Sequence, residues 1–198
     1  MKPKKPMKPM MPITFALCLS LVAAAAWALP GPGAQVPLAV GQRMPPLTGD
    51  LLSGKRGVLP DLAAGRTTLV ILGFSYDSRF QVEAWAEKFR ARYGTTPDIT
   101  LYEVPMMGSA ARLGRWFIDS GMRKNTPAEL HDRVMTVYGG NDDWKARVGF
   151  SAPNDAYLVL LDRQGIVRWL AHGAVTEERL QELVAVVDSL AGAVPAER

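Results

Sequence analysis

Residues Thr67–Phe89 read TTLVILGFSYDSRFQVEAWAEKF, and their two halves follow different periods. Leu69, Val70, Ile71, Leu72 and Phe74 form a continuous apolar run, the pattern of a parallel strand covered on both faces. From Val82 the apolar positions fall at Trp85, Ala86, Phe89 and Tyr93, three and four apart, which predicts an amphipathic helix. Between them lies the polar corner Ser75-Tyr76-Asp77-Ser78, with Asp77 or Ser78 expected to cap the helix. A buried strand, a tight corner and a helix open an order in which helices separate the early strands and a hairpin comes late.

Downstream, DITLYEVP (Asp98–Pro105) predicts a second strand, and SAARLGRWFIDSGM (Ser109–Met122) a helix with Leu113, Trp116 and Phe117 on its inner face. Thr126-Pro127-Ala128-Glu129 has the form of a capping box with proline at the first helical position. VMTVYGG (Val134–Gly140) is a third strand, followed by a short helix. AYLVLLDRQGIVRWLAHG (Ala156–Gly173) predicts a hairpin turning at Arg163-Gln164-Gly165. A last helix over Thr176–Leu190 places Leu180, Leu183, Val184, Val187 and Leu190 on one side. Upstream, LTGDLLSGKRGVLPDLAAGR (Leu47–Arg66) reads as a small hairpin, and LPGPGAQVPLAVGQRMPP (Leu29–Pro46) as a Pro/Gly-rich linker. The folded domain is therefore expected over residues 47–191, with a flexible tail at 192–198.

The first 28 residues have the form of a secretory signal. Lys2, Lys4, Lys5 and Lys8 precede the uncharged run ITFALCLSLVAAAAWAL (Ile13–Leu29), and Ala26-Trp27-Ala28 supplies a small-x-small cleavage site. Kept uncleaved, the 20 uncharged residues of Met10–Leu29 would be long enough to anchor the chain in a bilayer. Cleavage removes four of 23 basic residues and none of 19 acidic ones, leaving 19 of each sign. A neutral exported domain gives no basis for nucleic-acid binding, which depends on a basic surface. The only cysteine, Cys18, lies inside the signal. The mature chain thus has neither disulfide nor thiol nucleophile, and core burial alone must hold it together.

The segments AAGRTTLVILGFS (Ala63–Ser75) and YLVLLDRQGIVRW (Tyr157–Trp169) resemble the thioredoxin-like superfamily in its redoxin form. LYEVPMMGSAARLGRWFIDSGMR (Leu101–Arg123), TVYGG and YLVLLDRQGIVRWLAHG are most similar to the mitochondrial ATP synthase assembly factor family and its bacterial relatives. The resemblance spans roughly Arg66 to Leu190. It implies an α/β three-layer fold, a central mixed sheet flanked by helices, and an assembly or chaperone role at a membrane complex. Two departures from redox relatives bear on activity. The thiol position is held by Tyr76-Asp77-Ser78, and a hydroxyl is neither readily ionised nor redox-active. Ala156 stands where such enzymes place a cis-proline.

Other chemistry-bearing residues fit structural roles better. Ser78 with His131 or His172 as base lacks a nucleophile elbow. His131, His172, Met106 and Met107 match no copper-ligand spacing, and no metal or other cofactor is expected. Asp142-Asp143 reads as a turn and helix cap, Gly54-Lys55 lacks the spacing of a phosphate loop, and Trp85, Trp116, Trp144 and Trp169 are scattered as in core packing. No catalytic residue is expected. What remains is Met106–Lys124, where Met106, Met107, Arg112, Trp116 and Arg123 are candidates for binding a protein partner, beside Arg115 and Lys124. The membrane is expected to be contacted only through an uncleaved signal. The competing expectation is a redoxin-class enzyme with a thiol-independent or metal-handling reaction in the remodelled corner.

Overall fold

The computed structural model of the protein describes residues 36–192. The expected signal segment and residues 193–198 of the expected tail lie outside the described residues. The elements in chain order are β1 (Leu47–Leu51), β2 (Arg56–Leu59), β3 (Thr67–Gly73), α1 (Arg79–Tyr93), β4 (Ile99–Met107), a 3-10 helix (Ser109–Gly114) and α2 (Arg115–Asn125). They continue with β5 (Met135–Tyr138), α3 (Asn141–Val148), β6 (Ala156–Leu161), β7 (Val167–His172) and α4 (Glu177–Gly192). One seven-stranded sheet has the order β2-β1-β5-β4-β3-β6-β7. β3, β4 and β5 run parallel, and β1, β6 and β7 enter antiparallel. This is the mixed sheet that the resemblance implies.

β3 is buried at all seven positions because both faces are covered. Val70 and Leu72 enter one core with Tyr102, Val104, Met135, Trp144 and Tyr157; Leu69 and Ile71 enter the other with Trp85, Phe89, Leu158, Leu160, Leu183 and Val187. Period-two alternation along one strand thus feeds two apolar layers. α1 and α4 close the second layer, and α3 contributes Trp144 to the first.

The N-terminal hairpin does not stand apart from the sheet, since β1 pairs with β5 through Asp50–Thr136 and Leu51–Met135. Gly49 makes this approach possible: a Cβ there would lie 2.6 Å from Met135 Cγ and 2.7 Å from the Thr136 carbonyl. The domain also begins earlier than the Pro/Gly composition predicts. Leu38 and Met44 are buried in the core, the Met44 N–H donates to the Gly165 carbonyl at 3.0 Å, and the Gly41 N–H to Val167 at 2.8 Å. Two anchors set among turn residues escape a composition-based boundary. The turn at Gly165 has φ +77°, as the hairpin signal requires. Thr126–Glu129 forms no capping box; a three-residue 3-10 turn over Ala128–Leu130 follows Pro127, with no side-chain cap.

Candidate functional site

The corner after β3 is closed by two serines that bond to each other. The Ser78 N–H donates to Ser75 Oγ at 3.0 Å, and Ser78 Oγ donates to the Ser75 carbonyl at 2.7 Å while accepting the Ser75 N–H at 3.3 Å. Ser75 Oγ in turn donates to Asn154 Oδ1 at 3.0 Å. Ser75, rather than Asp77 or Ser78, therefore supplies the capping oxygen. Gly73 makes room for the clasp, because a Cβ on it would sit 2.7 Å from Ser78 Oγ. Ser78 is only 1% exposed and its proton is committed to a carbonyl, an arrangement suited to holding a turn and not to attacking a substrate.

Ala156 was expected where redox relatives place a proline. Ala156 opens β6 opposite Gly73, and its N–H donates to Gln81 Oε1 at 3.1 Å, a bond no proline could make. The Gly173 N–H donates to the Ala156 carbonyl, and Trp85 Nε1 donates to the Gly173 carbonyl at 2.9 Å. The loop before β6 hangs on the Tyr157 hydroxyl. It accepts the N–H groups of Ser151 and Ala152, both at 2.9 Å, and donates to the Ala152 carbonyl at 3.0 Å. Its ring is packed by Phe74, Phe150 and His172, and His172 Nδ1 lies 2.7 Å from Asp155. Outside this closed layer, Tyr76 and Phe80 are exposed, and the Arg79 guanidinium stacks on both rings, 3.6 Å and 4.4 Å from their centroids.

His131 and His172 are not brought together. His131 follows the 3-10 turn whose backbone reaches Ser53 beside β1, whereas His172 ends β7 at the other side of the sheet. Asp142 and Asp143 occupy the first turn of α3, whose cap is Gly140 with φ +70°.

The β4–β5 crossover departs most from expectation. Met106 is buried in the core, so it is removed from any partner surface, and Met107 is half-buried. Arg112 donates to the Tyr138 carbonyl at 3.1 Å, Arg123 Nε to the Leu52 carbonyl at 2.6 Å, and Arg115 meets Asp50 at 3.4 Å. These three pin the crossover to the sheet. Trp116, Phe117 and Leu113 were expected inside, yet they are 69%, 75% and 98% exposed. The residue that α2 buries is Asp119, which accepts from the Tyr138 hydroxyl at 2.8 Å and from Thr136 at 3.3 Å. Burial first, and the Asp119 carboxylate second, push the Tyr138 phenol well above its ordinary pKa. The cause lies under the helix: Met135 and Val137 face the first core, so Thr136 and Tyr138 turn toward α2, where the Tyr138 hydroxyl requires an acceptor. The sequence signal was the lone acid inside RWFIDSGMR.

A family model described as ATP10 protein matches residues 40–190. No curated protein matches significantly. Among solved structures, one from Chlorobium tepidum assigned as the thiol:disulfide interchange protein DsbE is 17% identical with TM-score 0.54, over 77% of this chain and 98% of that one. BsSco, a member of the Sco family of cytochrome c oxidase assembly proteins, is 12% identical with TM-score 0.54, over 80% and 100%. An uncharacterized conserved protein from Geobacillus kaustophilus is 15% identical with TM-score 0.55, over 81% and 87%. At these identities the structures establish the thioredoxin-like fold alone.

Proposed function

Because the chain belongs to the ATP10 family of ATP synthase assembly factors, we propose that it is exported and assists assembly of a membrane complex by binding protein, without redox chemistry. The family supports an assembly role, and the described residues contain no cysteine. The observation that carries the binding reading is the contrast within the corner. Its interior is closed by hydrogen bonds, leaving no room for a reacting group at Ser78, while its outside offers Tyr76, Arg79 and Phe80 as a pre-stacked cluster. Aromatic and arginine side chains are the types that most often dominate a protein interface, and stacking them in advance lowers the entropy lost on docking. The partner of this reading is a subunit of the ATP synthase. Among the described residues no helix is long and apolar enough to cross a membrane.

The test is a deletion of the gene complemented by wild-type protein or by a Tyr76→Ala/Phe80→Ala double variant, with assembled ATP synthase measured on native gels. Wild type should restore assembly and the double variant should restore much less of it, at equal protein level. Full restoration by the double variant would remove the corner from the interface. Unchanged assembly in the deletion strain would remove the function.

A further inference from the structure

The 3-10 helix and α2 carry a second exposed cluster. We propose that this face seats the domain on an anionic lipid surface. Leu113, Trp116 and Phe117 all point to solvent, and the Trp116 and Phe117 rings pack edge to face at 4.9 Å into one apolar block. Helical spacing places Phe117, Gly121 and Lys124 on one outer line, with Gly121 open above the helix. Nothing bulky on that line stops a flat surface from reaching the block.

Charge chooses the occupant. Between Gly108 and Asn125 the cations are Arg112, Arg115, Arg123 and Lys124, and the only acid is Asp119, buried beneath the helix against Tyr138 and Thr136. Asp50 offsets Arg115. Arg112 and Arg123 donate to main-chain carbonyls, which position these groups without neutralising them. The crossover thus carries a net positive charge, and Lys124 is its exposed cation on the outer line. A second copy of the same face would be repelled. Tryptophan, phenylalanine and leucine beside lysine and arginine, on a helix too short to span, form the composition that lies in the boundary between anionic headgroups and acyl chains. The protein-binding surface at Tyr76 and Phe80 plays no part in this inference.

The full chain is mixed with vesicles of phosphatidylcholine, alone or with phosphatidylglycerol, and hydrogen exchange is followed by mass spectrometry. This readout separates α2 from any insertion by the N-terminal apolar run. Residues 109–125 should gain protection with the anionic vesicles only, and high salt should reverse it. The L113S/W116S/F117S variant should lose that protection, and Lys124→Glu should weaken it roughly tenfold. Lys124→Glu decides alone if the triple variant fails to fold. Equal protection by neutral vesicles, vesicle binding with no protection over 109–125, or protection there only when an ATP synthase subunit is added would each overturn the proposal.

Discussion

α1 and α2 lie over the same side of one sheet and bury opposite kinds of residue. α1 puts Trp85, Ala86 and Phe89 against Leu69, Ile71, Leu101 and Leu158, whereas α2 puts Asp119 against Thr136 and Tyr138 and turns Trp116 and Phe117 outward. Both sequences are amphipathic. What differs is the surface beneath, since α1 covers the apolar centre of the sheet and α2 covers β5, whose residues on this side end in hydroxyls. A helix orients by what its neighbour can satisfy, and a buried hydroxyl without an acceptor costs more than an exposed ring.

The largest test of this contrast is a pair of tryptophan truncations. Trp85→Ala should lower unfolding stability by about 3–5 kcal/mol, because it empties a fully buried site. Trp116→Ala should stay within about 0.5 kcal/mol, as expected for a surface side chain. Denaturant midpoints measure both, and a large loss at Trp116 would show that α2 packs its apolar side inward. Next in size, Asp119→Ala should cost about 1–3 kcal/mol by taking the acceptor from the Tyr138 hydroxyl, while the Thr136 hydroxyl keeps the Asp50 carbonyl at 3.1 Å. Asp119→Ala together with Tyr138→Phe should recover part of that loss. No recovery would mean that the pair is not what orients the helix.

Much of the fold was legible because β3, α1, the β6–β7 hairpin and α4 each repeat one signal over many residues: alternation into two cores, or apolar positions three and four apart. That the described residues hold no cysteine was legible from the position of Cys18. The orientation of α2 was not, because periodicity reports that a helix has two faces without saying which one meets the protein. The same limit applied to Arg112 and Arg123, read as surface charges for a partner although each reaches a main-chain carbonyl 26 and 71 positions away in sequence. The domain boundary failed for a related reason. Leu38 and Met44 sit among glycines and prolines, and only their hydrogen bonds to Arg147 and Gly165 reveal that this stretch is held. At the corner the sequence offered Asp77 or Ser78 as the cap, because local spacing could not show that the bond to the Ser78 N–H runs through Ser75.

A smaller effect sharpens the corner side of the comparison. Ser78→Ala should cost about 1 kcal/mol, removing one donor and one acceptor of the clasp while the Ser75 cap on the Ser78 N–H persists. Ser78→Cys should give no measurable peroxidase or disulfide reductase turnover. The new sulfur would lie enclosed against Gly73, and the Ala156 N–H remains bonded to Gln81 where redox relatives hold proline. Thiol-dependent turnover by that variant would show that the corner keeps a reactive pocket.

The smallest expected effect appears only at high pH and again sets the two helices side by side. α1 ends on Tyr93, whose hydroxyl donates to Asp188 of α4 at 2.7 Å, much as Tyr138 donates to Asp119 of α2. Burial first, and the Asp188 bond second, push the Tyr93 phenol up to about 12 from an ordinary 10.0. The folded chain therefore holds this proton more tightly than the unfolded one. Its contribution to stability is complete below pH 10, falls as pH rises from 10 toward 12, and is gone above the folded value. Tyr93→Phe should flatten that part of the stability profile while leaving the neutral-pH value changed only by the lost hydrogen bond. Unfolding curves between pH 9 and 12, read against about the ordinary tyrosine value, measure the slope. An unchanged slope in Tyr93→Phe would pass the whole high-pH loss to Tyr138 and the α2 side of the sheet, which Tyr138→Phe then checks.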